Sequence, residues 1–349
     1  PPYMGSSSFG TKLSNYVKKY YADSKSDLFS VFIEKCSKYT SNQGYYAMIT
    51  QPSFLFLSSY ERLRQNITST STIISLLHMG RGIFGVDFGS TSFVIKKDRM
   101  NNYIGQYYKL HERTFQYIDP DDICNLFKMA KNDEIKQYDF SSYDTQRGID
   151  LTICDTNKLL QIKYTSKQSS FEKIPGTPIA YWVSDNFIRN FDKGISIDEI
   201  SDFTGSQHIT ANNDKYLRYI WEIPKDYLDS GKWKLYAKGG DVRKWYGNLE
   251  LAIDWTSDAV NFYKTNPTSN MLGEQYREKE GITYSEITSS INTFRYLPEG
   301  CIFDKKGPSI VNVKHLYYCL ALFSTPIAQY YFNVFNPTLS TQVRDVKNL

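Results

Sequence analysis

Cysteine is scarce and scattered in this 349-residue chain, at Cys36, Cys124, Cys154, Cys301 and Cys319, with no Cys-x-x-Cys pair. Neither a zinc site nor a disulfide framework is signalled, and reduced thiols are expected. The four histidines, His78, His111, His208 and His315, include no pair at metal-ligand spacing, so no metal is expected. The chain lacks a Gly-x-x-x-x-Gly-Lys-Ser/Thr loop for triphosphates and shows no nuclease carboxylate cluster. No apolar run reaches the roughly 20 residues that cross a bilayer, and no signal pattern opens the chain. A cytoplasmic location with no membrane partner is the expectation. Net charge is only +4, too little to argue for a nucleic-acid partner without local clustering.

What is present is enough chain for two domains and 29 tyrosines, which suit stacking platforms and sheets alike. The chain opens on Pro1-Pro2-Tyr3-Met4-Gly5-Ser6-Ser7. Two prolines fix φ near −65° and remove two amide donors, giving a rigid turn that presents the Tyr3 ring and nearby carbonyls. Residues 27–36 read as an amphipathic helix with Leu28, Val31 and Phe32 at helical spacing, capped by Ser26 or Asp27. After a turn at Asn42-Gln43-Gly44, residues 45–50 form a buried-strand pattern ended by Gln51-Pro52. Residues 53–67 are expected as helix, 73–77 and 90–95 as strands. Between those strands lies the glycine-rich stretch Gly80-Arg81-Gly82-Ile83-Phe84-Gly85-Val86-Asp87-Phe88, in which Phe84 is either a core plug or a ligand contact. This alternation predicts a doubly wound α/β sheet.

The pattern loosens after residue 97. Residues 119–173 read as a connector with some helix, starting at Asp119-Pro120, and Ile174-Pro175-Gly176-Thr177-Pro178 marks the expected start of a mixed α+β domain over 174–349. Its most distinctive segment is 232–246, where Lys232, Lys234, Lys238, Arg243 and Lys244 interleave with Trp233, Tyr236, Trp245 and Tyr246. Cations that reach phosphates beside rings that stack or pack suit nucleic acid. A twisted surface hairpin with a solvated charged face is the other reading. Residues 316–331 read as a helix kinked or broken at Pro326.

Pro1-Pro2-Tyr3, the 27–36 helix, the strand pattern and the Phe84 loop stand in an order that resembles DNA adenine-N6 methyltransferases, whose signature is Asn-Pro-Pro-Tyr. The Asn would stand just before Pro1. The run Lys238-Gly239-Gly240-x-x-Arg243-Lys244-Trp245-Tyr246-Gly247 resembles the target-recognition domains of type IIG restriction-modification enzymes and of PglX-type methyltransferases of BREX phage-exclusion systems. Residues 210–216, Arg295-Tyr296-Leu297-Pro298 with Asp304-Lys305-Lys306-Gly307, and Asn336-Pro337-Thr338-Leu339 fit the same domain. The likeness covers nearly the whole chain and is closest to the PglX type.

That resemblance implies a partial doubly wound, Rossmann-like methyltransferase domain over 1–118, a connector, and a target-recognition domain over 174–349. It implies S-adenosylmethionine-dependent methylation of adenine N6. A flipped adenine would be held between Tyr3 and Phe84, its amino group bonded to the Pro1 carbonyl, with Pro2 stiffening the turn. The family's cofactor loop stands upstream of residue 1, so cofactor contacts are unassigned and the isolated chain is expected to be inactive. Double-stranded DNA is the implied partner, with other defence proteins possible companions. Lys238, Arg243, Lys244 and Lys306 are the expected phosphate contacts, Gly239-Gly240 would allow close backbone approach to a phosphate, and Trp245 is expected to pack. Arg295 is either a further contact or a buried structural arginine. A non-catalytic DNA-binding specificity module is the alternative function.

Overall fold

A computed structural model describes the whole chain except residues 85–88, 113–116, 205–206, 289–290 and 339. Thus Gly85, Val86, Asp87, Phe88 and Leu339 of the motifs above lie outside the described residues. The chain divides into two compact units, Pro1–Lys193 and Gly194–Leu349.

In the first unit, α1 (Thr11–Tyr20) precedes α2 (Leu28–Tyr39). Asp27 caps α2 by accepting the Phe29 amide at 3.2 Å, and Phe29, Val31 and Ile33 carry its buried face. β1 (Tyr45–Thr50) follows. The expected 53–67 helix is instead two single 3₁₀ turns and then α3 (Glu61–Thr70). The reason is Arg64, whose guanidinium takes the carbonyls of Phe54 and Leu57 at 2.9 and 2.7 Å and so holds that stretch out of a regular helical ladder. β2 (Thr72–Gly80), β3 (Ser90–Lys96) and β4 (Ile104–Lys109) come next, then α4 (Pro120–Lys131), begun by an Asp119 cap with Pro120 in the first turn.

Short strands β5 (Gln137–Tyr138) and β6 (Leu160–Gln161) pair with each other. β7 (Lys163–Lys167), α5 (Ser169–Glu172) and α6 (Asp185–Arg189) complete the unit. The five-stranded sheet has the order β1-β3-β2-β4-β7. Only β2 and β4 pair in parallel; β1–β3, β2–β3 and β4–β7 are antiparallel. The parallel, doubly wound arrangement expected from the helix–strand alternation is therefore not what this portion of sheet displays. Short connections such as Gly80 to Ser90 return the chain beside the strand it has just left, which forces antiparallel pairing.

Residues 119–173 are not a loose connector. Ile123, Leu126, Ala130, Tyr138, Phe140 and Ile162 join Tyr108 and Leu110 in a continuous buried cluster. The first unit also extends past the proline-glycine punctuation at 174–178. Arg64, 1% exposed, donates to the carbonyls of Thr177 at 3.0 Å and Gly176 at 2.6 Å, while Ile179 and Tyr181 enter the sheet core. The Gln168 side chain accepts from the Ile73 amide and donates to the carbonyls of Thr68 and Ser71. The unit boundary consequently falls after Lys193 rather than at 174.

The second unit runs through β8 (Asp202–Phe203), α7 (Asn213–Tyr216), β9 (Leu217–Tyr219), α8 (Lys225–Asp229), β10 (Trp233–Ala237), β11 (Leu251–Asp254) and α9 (Ser257–Thr265). After these come β12 (Gly281–Tyr284), β13 (Phe294–Leu297), β14 (Ile302–Phe303), β15 (Ser309–Val311), α10 (Leu316–Phe323), α11 (Pro326–Phe335) and α12 (Val343–Lys347). Two four-stranded sheets result, β14-β10-β11-β9 and β13-β12-β15-β8. Pro326 does break the expected helix: α10 stops, and Thr325 caps α11 by accepting the Ala328 amide at 3.2 Å.

Candidate functional site

The opening turn is tied down by its neighbours rather than by its own side chains. Met4 donates its amide to Asp27 Oδ1 at 3.1 Å and accepts from the Leu28 amide at 3.0 Å, and the Ser6 amide donates to the Ser26 carbonyl. Pro1 and Pro2 remain exposed. The Tyr3 ring is 42% exposed and tilted over Phe29, with centroids 6.0 Å apart. Partial burial, and then the Asp27 carboxylate, raise its phenol. Phe29 in turn meets Tyr60 and Phe54 at 5.6 and 6.5 Å, so the exposed ring rests on an aromatic floor that fixes its height. Asp27 both caps α2 and holds this strand. Asp27→Ala is expected to cost about 1 kcal/mol or slightly more in a urea titration, and to increase amide exchange at Met4.

Phe84 is 56% exposed and is not a core plug. Its loop begins at Gly80 and Gly82, both with positive φ, where an added Cβ would come within 2.7 Å of His111 and 2.5 Å of Tyr117. Only glycine fits these turns. The loop ends at Gly89, whose Cβ position is 3.1 Å from the Pro52 ring, and Thr50 is paired with Thr91. Phe84 therefore springs from the sheet end where β1 gives way to residues 51–56. Phe54, whose ring meets Phe29, comes from the same segment.

Below that loop lies a cluster that sequence reading missed. Parallel pairing of β2 with β4 aligns His78 with Lys109, and the His78 and His111 rings come within 4.2 Å. Burial holds both imidazoles neutral, His78 well below its ordinary value and His111 at about 4. The Lys109 ammonium, also pushed down by burial, sits 5.2 Å from the Trp182 ring centre. No spacing in the chain signals this meeting, because it depends on strand register.

In the second unit the basic residues gather on one loop after β10. Gly239 has φ of 79°, and a Cβ there would lie 2.3 Å from the Lys306 carbonyl oxygen; Gly240 faces Asn248. The two glycines thus serve close backbone packing, which places the 304–307 turn beside the loop. Lys244 is exposed and Lys238 half-buried. Arg243 pairs with Glu250 at 3.4 Å across exposed positions, and the exposed Lys306 pairs with the half-buried Glu286 at 2.8 Å. Trp245, with φ of 74°, has its backbone pinned to β13 through Phe294 and Tyr296, which leaves its ring 52% exposed rather than packed. Tyr246 is 59% exposed beside it. Arg295 is fully buried, donating to Thr293 and Ser285, and burial lowers it to about 10; it is structural. Among the described residues no His, Cys, Asp and Glu group could hold a metal ion, and no helix is long and apolar enough to cross a membrane.

Residues 1–84 match the family described as Eco57I restriction-modification methylase. The whole chain is 32% identical to the adenine-specific methyltransferase PglX of Lacticaseibacillus casei strain Zhang, and 99% of it is 30% identical to the adenine-specific methyltransferase BrxX of Escherichia coli O9:H4 strain HS. It spans 28% and 27% of those two proteins. In fold it is similar to the type IIL restriction-modification enzyme MmeI, solved in complex with DNA, at a TM-score of 0.52 and 10% identity over 99% of this chain and 44% of that one. The chain is thus similar along nearly its whole length to a segment of the PglX and BrxX adenine-specific methyltransferases, and its first 84 residues match the Eco57I restriction-modification methylase model.

Proposed function

We propose that this chain is the part of a site-specific DNA adenine-N6 methyltransferase, in a restriction-modification or phage-exclusion system, that holds the flipped adenine and recognises the duplex. The observation that supports the reading is similarity along the whole chain to two adenine-specific methyltransferases, and the half-exposed rings of Tyr3 and Phe84 are its candidate stacking surfaces. Tyr3 stacks on one face of the base, Phe84 covers the other, and the Pro1 carbonyl accepts from the amino group, orienting N6 for attack. S-adenosylmethionine supplies the methyl group in such chemistry. Gly80 and Gly82, at the start of the Phe84 loop, are closed off by His111 and Tyr117, and no residue of this chain is assigned to the cofactor.

Duplex binding falls to the second unit. Lys238, Arg243, Lys244 and Lys306 contact phosphates, and the exposed ion pair of Arg243 with Glu250 opens at little cost, about 0–1 kcal/mol. The exposed rings of Trp245 and Tyr246 follow Arg243 and Lys244 on the same loop and pack on sugar or base. Gel-shift titrations over salt test this reading: affinity should fall steeply from low to physiological salt, and Lys244→Ala should reduce the log–log slope by about 1. A flat salt response would overturn it.

A further inference from the structure

The helix that follows the opening turn has no role in the proposed reaction, yet it carries unmatched charge. α1 contains three lysines, Lys12, Lys18 and Lys19, and no acidic residue. All three are exposed, and none forms an ion pair among the described residues, whereas Arg243 and Lys306 of the second unit each already hold a glutamate. The acids of the neighbouring α2 and its cap are engaged elsewhere. Glu34 pairs with Lys38 at 2.7 Å, and Asp27 takes the amides of Met4 and Phe29.

The charge is also arranged. At about 100° per residue, Lys12, Tyr16, Lys19 and Tyr20 share one face of α1 within about 100° of arc, while Lys18 lies on the other flank. Tyr16 and Tyr20 are half-exposed, their ring centres 4.9 Å apart, and the Lys19 ammonium stands 5.1 Å from the centre of the Tyr20 ring. This ring pair does not anchor the helix. Val17 does so, buried with Tyr21 and Val31 and flanked by Phe9 and Leu13. Helix stability accounts for Lys18 and Lys19, which complement the negative end of the helix dipole in the last turn, but not for Lys12. Lys12 sits in the first turn, at the positive end of a helix with no side-chain cap. An anion outside the chain accounts for it. Along the axis Lys12 and Lys19 are about 10 Å apart, close to three steps of a duplex strand that carries one charge per about 3.4 Å.

The face is tied to the stacking position. The Tyr3 ring rests over Phe29 of α2, and Val17 packs on Val31 of the same helix. The Met4 and Ser6 amides donate to Asp27 and to the Ser26 carbonyl at the start of α2, so Tyr3 and α1 share one support.

We propose that α1 is a DNA-backbone contact of the first unit, in which Lys12 and Lys19 take phosphates of the strand beside the flipped base and the Tyr16–Tyr20 pair packs on the sugars between them. The proposal rests on the DNA-binding reading above and adds a contact that it does not include.

Gel-shift titrations of the 349-residue chain with a mixed-sequence duplex, from about 50 to about 200 mM salt, test it. Lys12→Ala/Lys19→Ala should lower the log–log salt slope by about 2 and the affinity at about 100 mM salt by at least about tenfold. Lys18→Ala removes the same charge from the other flank and should leave the slope within about 0.3 of the parent's. Both changes are at exposed positions of a helix and replace lysine by a stronger helix former, so the urea midpoints should match the parent's. An unchanged slope in the double variant overturns the proposal, and so does a loss in Lys18→Ala equal to that in Lys19→Ala, which would mean diffuse charge rather than a contact face. A steep salt response of the parent chain in either case leaves the DNA reading standing. A flat response of the parent chain removes that reading and this contact together.

Discussion

Tyr3→Ala in the complete enzyme should lower methylation about 10- to 100-fold while duplex affinity changes little. The estimate follows from stacking of an aromatic ring on a base, about 1–3 kcal/mol, with each 1.36 kcal/mol worth a factor of ten in rate. The ring is 42% exposed and stands on Phe29, so its removal empties the stacking position without opening the core. In the proposed reading the duplex is held by the cations of the second unit, so affinity and rate are expected to separate. Tyr3→Phe keeps the ring and should retain most activity, so the loss is assigned to stacking and not to the hydroxyl. Initial methylation rates and gel-shift affinities on the same preparations check the prediction; equal rates for Tyr3→Ala and the parent would refute the stacking role.

Arg64→Ala should destabilise the first unit by at least about 3 kcal/mol, a large share of the 5–15 kcal/mol that holds a typical domain. The guanidinium serves four backbone carbonyls, those of Phe54, Leu57, Gly176 and Thr177, from a position 1% exposed. Truncation leaves those acceptors buried and unpaired and opens a cavity as well. Arg64→Lys should recover little, because a point-like ammonium cannot span acceptors that a planar fork reaches together. A urea unfolding midpoint within about 0.3 M of the parent's would contradict this role, given slopes near 1–3 kcal/mol per molar.

Arg64 also shows where reading the sequence reaches its limit. The prolines and glycine of 174–178 are turn formers, and the turn is there; Gly176 and Thr177 both have positive φ. A turn signal does not tell whether the chain leaves a domain or folds back onto it. That is decided by a side chain more than a hundred positions away. The same limit explains the sheet. β1, β2 and β3 are legible as strands from their apolar patterns, but their direction relative to one another depends on short connections and on which neighbours pair. The second unit repeats the lesson at smaller scale. The basic loop is legible as charge interleaved with rings, yet the backbone twist at Trp245 that turns its ring outward, and the 2.3 Å approach that demands glycine at 239, exist only once β13 and the 304–307 turn have arrived.

By itself the sequence determined the local grammar of this protein: the stiff Pro1-Pro2-Tyr3 turn, a helix capped at Ser26 or Asp27, a helix start at Asp119-Pro120, an interruption at Pro326 and the clustering of cations over 232–246. Each is set by residues within a few positions, where propensity, capping and charge act directly. Tertiary structure alone decided that residues 119–193 complete the first unit, that His78 meets His111, and that His208 is buried against Tyr263 and Trp255. These arrangements depend on contacts between residues far apart in the chain, whose energies arise only when burial removes water and low dielectric makes every polar partner count.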